Sequence, residues 1–388
     1  MSRRPIIGAV SASNCAFEAA TRRIATNQIR SFSSTPPRNA QQVAHFTPTS
    51  STELDELLST IRTKIILPSY LSLTQRKQLM SKRYEKKLAA DPVIIDIDGE
   101  ILKFRYLNPL GGGLPNTQKS VMQAVTSFET EDDFVNLRPL LEGIHNTHQK
   151  LDANFWTKIT RVIGSKGHIY EMIEAARRAK WTGYRLDSSE RLNEMLLYVQ
   201  LKAVESEWRK SETEQALRWS EMIIELLQTE VHKPKSSRAP GSNRAALSYS
   251  LEHDPQVLIA PLHLASALVV KTGVETESVL EKVNKYARDV VRLWPEGKQL
   301  KQLHKPEAYQ ARNEMAYLTC PNKFVTMATP LLHGLESAVQ VVKDAELLRQ
   351  LQSRRDILSA EVESARKTAQ AEGKAGRGES VYGKFFGA

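Results

Sequence analysis

Apolar positions change their period twice along this chain. Between residues 93 and 106 they alternate: Val93, Ile95 and Ile97 precede Asp98-Gly99, and Leu102, Phe104 and Tyr106 follow it. Asp-Gly between two alternating runs is the strongest short-range signal of a β-hairpin. A two-residue turn there pairs Ile95 with Leu102 and Val93 with Phe104, gathering one apolar face. A lone hairpin is marginal in water, so that face must dock on helices or on a partner. From Phe155 onward the period becomes helical. Ile169, Met172, Ile173 and Ala176 share one stripe, and Leu192, Met195, Leu196, Val199 and Ala203 repeat the spacing. Ala216, Trp219, Ile223, Leu226 and Leu227 do so again, as do Val279, Val283, Tyr286, Ala287, Val290 and Val291.

Short polar joints at 164–167, 183–189 and 210–213 separate these stripes. Asp254-Pro255 restarts a helix with a cap and an N1 proline. Thr272-Gly273 divides a third pair, 261–270 and 276–294. The pattern predicts a mainly α fold: an irregular α-solenoid of paired helices, with a small N-terminal β-hairpin and a long C-terminal helix. An early helix runs from about Glu53 to Pro68. Residues 331–371 hold no proline and only Gly334, so they read as one helix of about 60 Å at 1.5 Å per residue. Its seam, which includes Leu335, Val342, Leu348 and Leu351, is expected to meet a partner protein over part of its length, the alternative by the same spacing being that it caps the solenoid within the chain. The organisation expected is therefore a presequence over 1–39, a basic arm with the hairpin over 40–115, and a helical-repeat body over 116–330. A mobile insertion at 232–254 interrupts the body, and the long helix at 331–371 leads to a flexible tail at 372–388.

The 388 residues are 41% hydrophobic and 25% charged, which suits a folded, soluble body. No run of eighteen apolar residues occurs, so no conventional membrane span is expected. The net charge is +10. Residues 1–39 carry six arginines against Glu18, are rich in Ser and Ala, and lack a secretory apolar core. That is the composition of a matrix-targeting presequence, and half of the net charge leaves with it. Cys15 leaves too, and Cys320 alone cannot form an internal disulfide. The remaining charge is local. Arg76, Lys77, Lys82, Arg83, Lys86 and Lys87 fall within a dozen positions, where they repel unless an anion neutralises them. Arg161, Lys166, Arg177, Arg178, Lys180 and Arg185 form a second cluster beside Trp156, Trp181 and Tyr184, which could stack on bases but more often fill a helical core.

Catalytic chemistry finds little support. Glu142, His145 and His148 have metal-like spacing, but too few companions for a metal centre, and read as a polar joint. Gly111-Gly112-Gly113 lacks the Lys-Ser/Thr of a phosphate loop. Cys320 has no nameable base and reads as a partly buried small apolar residue. Glu131-Asp132-Asp133 reads as a solvated helix start. No enzyme activity, cofactor or metal is expected.

Residues 155–187 resemble a pentatricopeptide repeat. Phe155-Trp156-Thr157-Lys158-Ile159 opens the first helix, residues 171–179 form the second, and Gly183-Tyr184-Arg185-Leu186-Asp187 closes the unit with Leu186 in place of proline. The following pairs depart from that pattern. Arg30-Ser31-Phe32-Ser33-Ser34 resembles a processing site of fungal mitochondrial precursors, and the whole arrangement is similar to lineage-specific ribosomal proteins of fungal mitochondria. The resemblance implies a structural component of a matrix ribonucleoprotein, foremost the mitochondrial ribosome. Its partners would be mitochondrial rRNA and ribosomal proteins, with mRNA a further RNA that the same cations would accept. The other readings are a free RNA-binding factor for transcript maturation or translation, and an assembly scaffold for a respiratory complex.

Overall fold

The computed structural model describes residues 43–97, 99–109, 114–233, 250–310, 315–374 and 376–387. The expected presequence, the turn residue Asp98, the glycine run at 111–113 and most of the 232–254 insertion lie outside them.

Helix α1 (Thr52–Ile61) carries Glu53 and Asp55 in its first turn, where carboxylates suit the helix dipole, and buries Leu54, Leu58 and Ile61. A π-helical turn (Arg62–Ile66) and a 3-10 turn (Leu67–Tyr70) then carry the chain past Pro68. Helix α2 (Leu73–Leu79) begins in a capping box between Ser72 and Gln75. A 3-10 turn (Lys82–Tyr84) leads into α3 (Glu85–Ala90). Strands β1 (Val93–Ile97) and β2 (Glu100–Phe104) pair antiparallel in the expected register, Val93 opposite Phe104 and Ile95 opposite Leu102. Gly99 takes φ +82°, a turn conformation that glycine adopts freely. The inner face of the hairpin packs on Val43, Leu67, Leu71, Leu79 and Leu88, so the chain itself supplies the docking surface and builds a second, small core.

The body comprises α4 (Thr117–Ser127), α5 (Glu131–Val135), α6 (Leu137–Asn146), α7 (Ala153–Ser165), α8 (Ile169–Arg177) and α9 (Ala179–Thr182). Beyond them come α10 (Ser189–Glu205), α11 (Lys210–Leu227), α12 (Pro255–Thr272) and α13 (Glu277–Leu293). The C-terminal part holds α14 (Pro306–Gln310), α15 (Pro321–Val341), α16 (Ala345–Ala371) and α17 (Gly376–Phe386). The chain is mainly helical with one two-stranded hairpin, as the apolar periods predict. Successive helices pair: α7 with α8, α10 with α11, α12 with α13 and α15 with α16. Each pair packs on the next, with α10 against α7, α12 against α10 and α11, and α15 against α12. Helix α12 is long and apolar enough to cross a membrane, but 78% of it is buried inside the protein.

Three expectations need correction. The joint placed at 210–213 lies at Ser206-Glu207-Trp208-Arg209, because Glu207 and Trp208 take positive φ and end α10 before α11 starts at Lys210. The single helix over 331–371 is two. Val342 is extended, and the Asp344 carboxylate accepts hydrogen bonds from the Glu346 and Leu347 amides, capping a new helix. Because α16 folds back onto α15, Leu335, Val342 and Leu351 are buried and Leu348 half-buried in the chain's own core. The seam expected to meet a partner is thus covered internally. The expected flexible tail is the helix α17, docked on α15 and α10. Its glycines lower helix propensity, but Gly378 is required by close approach: its amide donates to Asn322 Oδ1 at 2.6 Å, where a Cβ would collide with Asn322.

Candidate nucleic-acid interface

The two cationic clusters have different fates. In the first, Lys77, Lys82, Arg83, Lys86 and Lys87 are exposed on α2, the following 3-10 turn and α3. None of these five has an ion-pair partner among the described residues. Arg76 differs: its guanidinium donates to the Leu71 and Ser69 carbonyls at 3.0 and 2.9 Å and ties α2 to the preceding turn.

The second cluster is largely engaged within the chain. Arg161 on α7 donates to the Glu194 carboxylate at 3.1 and 3.4 Å, and Arg377 on α17 reaches the same carboxylate, which is fully buried. Lys166 Nζ donates to the Thr126 and Phe128 carbonyls at 2.7 and 2.6 Å, closing the end of α4. Arg185 donates to the Lys233 carbonyl at 3.0 Å, and Arg177 pairs with Glu174 at 2.6 Å. Arg178 and Lys180 remain on the surface. Of the aromatic residues among them, Trp156 is buried, while Tyr184 is fully buried with its hydroxyl 2.6 Å from Thr160 Oγ1. Burial pushes that phenol up to about 12. Trp181 alone faces solvent, at 47% exposure.

Other sequence candidates also serve the fold. Asp133, expected in a solvated helix start, is buried, and its carboxylate accepts hydrogen bonds from the Ser50, Glu129 and Thr130 amides and from Ser50 Oγ. Burial alone would raise its pKa, but these donors hold it well below the usual carboxylate range. Cys320 is exposed rather than partly buried, because it stands at the N-cap of α15. Glu142 pairs with Arg138 at 3.0 Å, and the described residues contain no metal-binding group of His, Cys, Asp and Glu.

Sequence reasoning did not find the polar centre of the body. His263 on α12 is fully buried; its Nδ1 lies 2.7 Å from Gln200 Oε1 and its Nε2 2.7 Å from His333 Nδ1. Gln200 Nε2 donates to the Leu196 carbonyl, which leaves its oxygen as the acceptor. His263 therefore donates from Nδ1, and His333 donates to His263 Nε2. Trp208 stacks on His333 at 5.5 Å, and Phe385 and Phe386 of α17 pack on the same ring. Burial, and beyond it the charge of Lys271, push His333 down to about 4; burial and then His333 hold His263 well below the ordinary imidazole value. Isolated histidines on apolar stripes carried no signal that they would meet.

The fold and these contacts define a helical scaffold: its buried polar groups hold helices together, and the densest run of unpaired cations among the described residues lies on an N-terminal surface. The model of a family described as mitochondrial ribosomal protein mS27 matches residues 30–384. The small ribosomal subunit protein mS27 of Neurospora crassa is 38% identical over 326 residues, covering 81% of each chain. The chain belongs to the mitochondrial ribosomal protein mS27 family, and of the three functional readings the ribosomal one stands.

Proposed function

We propose that this chain is a non-enzymatic structural component of the small subunit of the mitochondrial ribosome in the matrix, held on rRNA by its basic arm. The observation that carries the rRNA contact is the set of five exposed cations, Lys77, Lys82, Arg83, Lys86 and Lys87, unpaired among the described residues and mounted on a separately packed N-terminal core. Arg76 positions that surface through its backbone bonds. Of the second cluster, Arg178 and Lys180 with the exposed Trp181 add a further contact, while Arg161, Lys166 and Arg185 act chiefly in packing and Arg177 is matched on the surface by Glu174. The helix pairs serve as a degenerate pentatricopeptide-like stack whose exposed faces hold neighbouring ribosomal proteins. Residues 1–39 supply the mitochondrial address: replacing Arg22, Arg23 and Arg30 by Glu is expected to abolish import into isolated mitochondria.

The test is sedimentation of matrix extract on a salt-washed gradient. The chain should travel with the small subunit. Alanine at the five arm cations should release it at lower salt, lowering the log–log salt slope by about 0.9 per lost duplex phosphate contact. An unchanged slope would leave the arm as a solvated surface.

A further inference from the structure

One cleft in the described structure lies in the body, away from the arm. It has a volume of about 810 Å³ and opens between the first turns of α4 and α7, with α10 and α15 behind them. Two of its cations are already matched: Arg161 by the buried Glu194, and Lys323 by Glu190 at 2.6 Å. Lys119 on α4 and Lys158 on α7 are exposed and have no such partner among the described residues. Gln118 and Asn154, half-buried in the same walls, make no side-chain hydrogen bond among the described residues, and the Asp152 carboxylate beside them caps no amide.

These groups ask for a ligand with a particular mixture of chemistry. Two free ammonium groups call for anionic oxygens. Two free amides offer donors and acceptors together, and a free carboxylate only accepts. An acidic peptide segment would satisfy the lysines, as phosphates would, but its carboxylate side chains only accept and offer Asp152 no donor. An unpaired nucleotide satisfies all of them, since its phosphates are anionic and its base edge carries both donors and acceptors. The volume lies in the range of sites that enclose small ligands, whereas a paired helix presents no separate base to enter it.

Resting on the reading that this protein contacts rRNA, we infer that the cleft takes one or two unpaired nucleotides of a single-stranded segment, with phosphates on Lys119 and Lys158 and a base edge on Gln118, Asn154 and Asp152. Gln118 and Lys119 stand outside the repeat-like segment at 155–187, and Lys323 lies far beyond it in sequence. The site therefore exists only where α4, α7 and α15 meet.

The experiment uses the full chain with two probes, a labelled ten-nucleotide single-stranded oligoribonucleotide and a blunt RNA duplex. Lys119→Ala with Lys158→Ala should weaken single-strand binding on the order of tenfold at 0.1 M salt and lower its salt slope by about 1.4, at roughly 0.7 per single-strand contact. Duplex binding should persist. Gln118→Ala with Asn154→Ala should flatten the preference among homopolymer oligonucleotides, and Lys119→Arg with Lys158→Arg should restore the slope. The arm variant should do the reverse, losing the duplex and keeping the single strand, so failure of the arm reading shows on the duplex alone. Wild-type protein that ignores the single strand would overturn the inference. So would unchanged single-strand binding in the normally folded lysine variant, or displacement of the oligonucleotide by polyglutamate at equal charge concentration.

Discussion

The N-terminal core around the hairpin and the helical body treat charge in opposite ways. The small core gathers seven buried apolar residues under two short helices and two strands. Around it stand five exposed, unpaired cations and four large exposed apolar side chains, Leu73, Met80, Ile94 and Ile101. In the body, by contrast, many arginines are drawn inward. Arg161 and Arg377 flank Glu194, and Arg366 pairs with Glu379 at 2.8 Å while lying 3.6 Å over the Tyr382 ring. Arg354 is buried with its guanidinium on the Trp294 and Val291 carbonyls. The difference follows from size. A body of many helices has an interior large enough to surround a guanidinium with acceptors, whereas a small core lies too close to its own surface.

Breaking the body should therefore cost stability, and breaking the small core's surface should not. The largest effect is expected from Leu351→Asp, which buries a charge where α15 and α16 meet. A loss of at least about 4 kcal/mol, seen as unfolding by circular dichroism, is expected. Normal helicity with loss of particle binding would mean instead that the seam faces a partner. Glu194→Ala leaves two arginines without their shared carboxylate and should cost about 3–5 kcal/mol in denaturant unfolding; a change under about 1 kcal/mol would show that the trio is dispensable.

The histidine centre sharpens the contrast through pH. Its rings are held unprotonated in the folded body, so the unfolded chain binds the extra protons once pH falls below about 6.5. Stability is full above that value and declines toward about 4. His333 alone should remove about 2 kcal/mol between pH 7.5 and pH 5. Equal unfolding midpoints at those two pH values would contradict the network. Gly378→Ala, pushed against Asn322, should cost about 1–3 kcal/mol and expose α17 to limited proteolysis; an unchanged cleavage pattern would mean that the helix does not depend on that fit. The smallest effect belongs to the arm. Alanine at Lys77, Lys82, Arg83, Lys86 and Lys87 should move unfolding by less than about 0.5 kcal/mol, even as it lowers the salt slope for RNA. A large loss would show that these cations support the small core.

The hairpin, its register and most helix positions were legible because their signals are local. Alternation around Asp-Gly fixes a pairing, and a cap followed by periodic apolar residues fixes a helix start. The cationic arm was legible for the same reason, being contiguous. The cleft was not, since Gln118, Lys158 and Lys323 are brought together only by packing. The break at Asp344 was hidden because an unbroken apolar spacing reads the same through a short turn as through a continuous helix. The helix at 376–386 was hidden because its glycines argue for coil when taken alone.

By itself, then, the sequence determined the helical class, the hairpin and the contiguous positive charge of the arm, along with the resemblance to fungal mitochondrial ribosomal proteins. Tertiary structure decided which cations are free and which are engaged, that α16 turns back to cover the seam at Leu335 and Leu351, and that α17 closes over the histidine centre. Periodicity reports which face of an element is apolar. Only the assembled interior specifies what covers that face, because burial there depends on residues far apart along the chain.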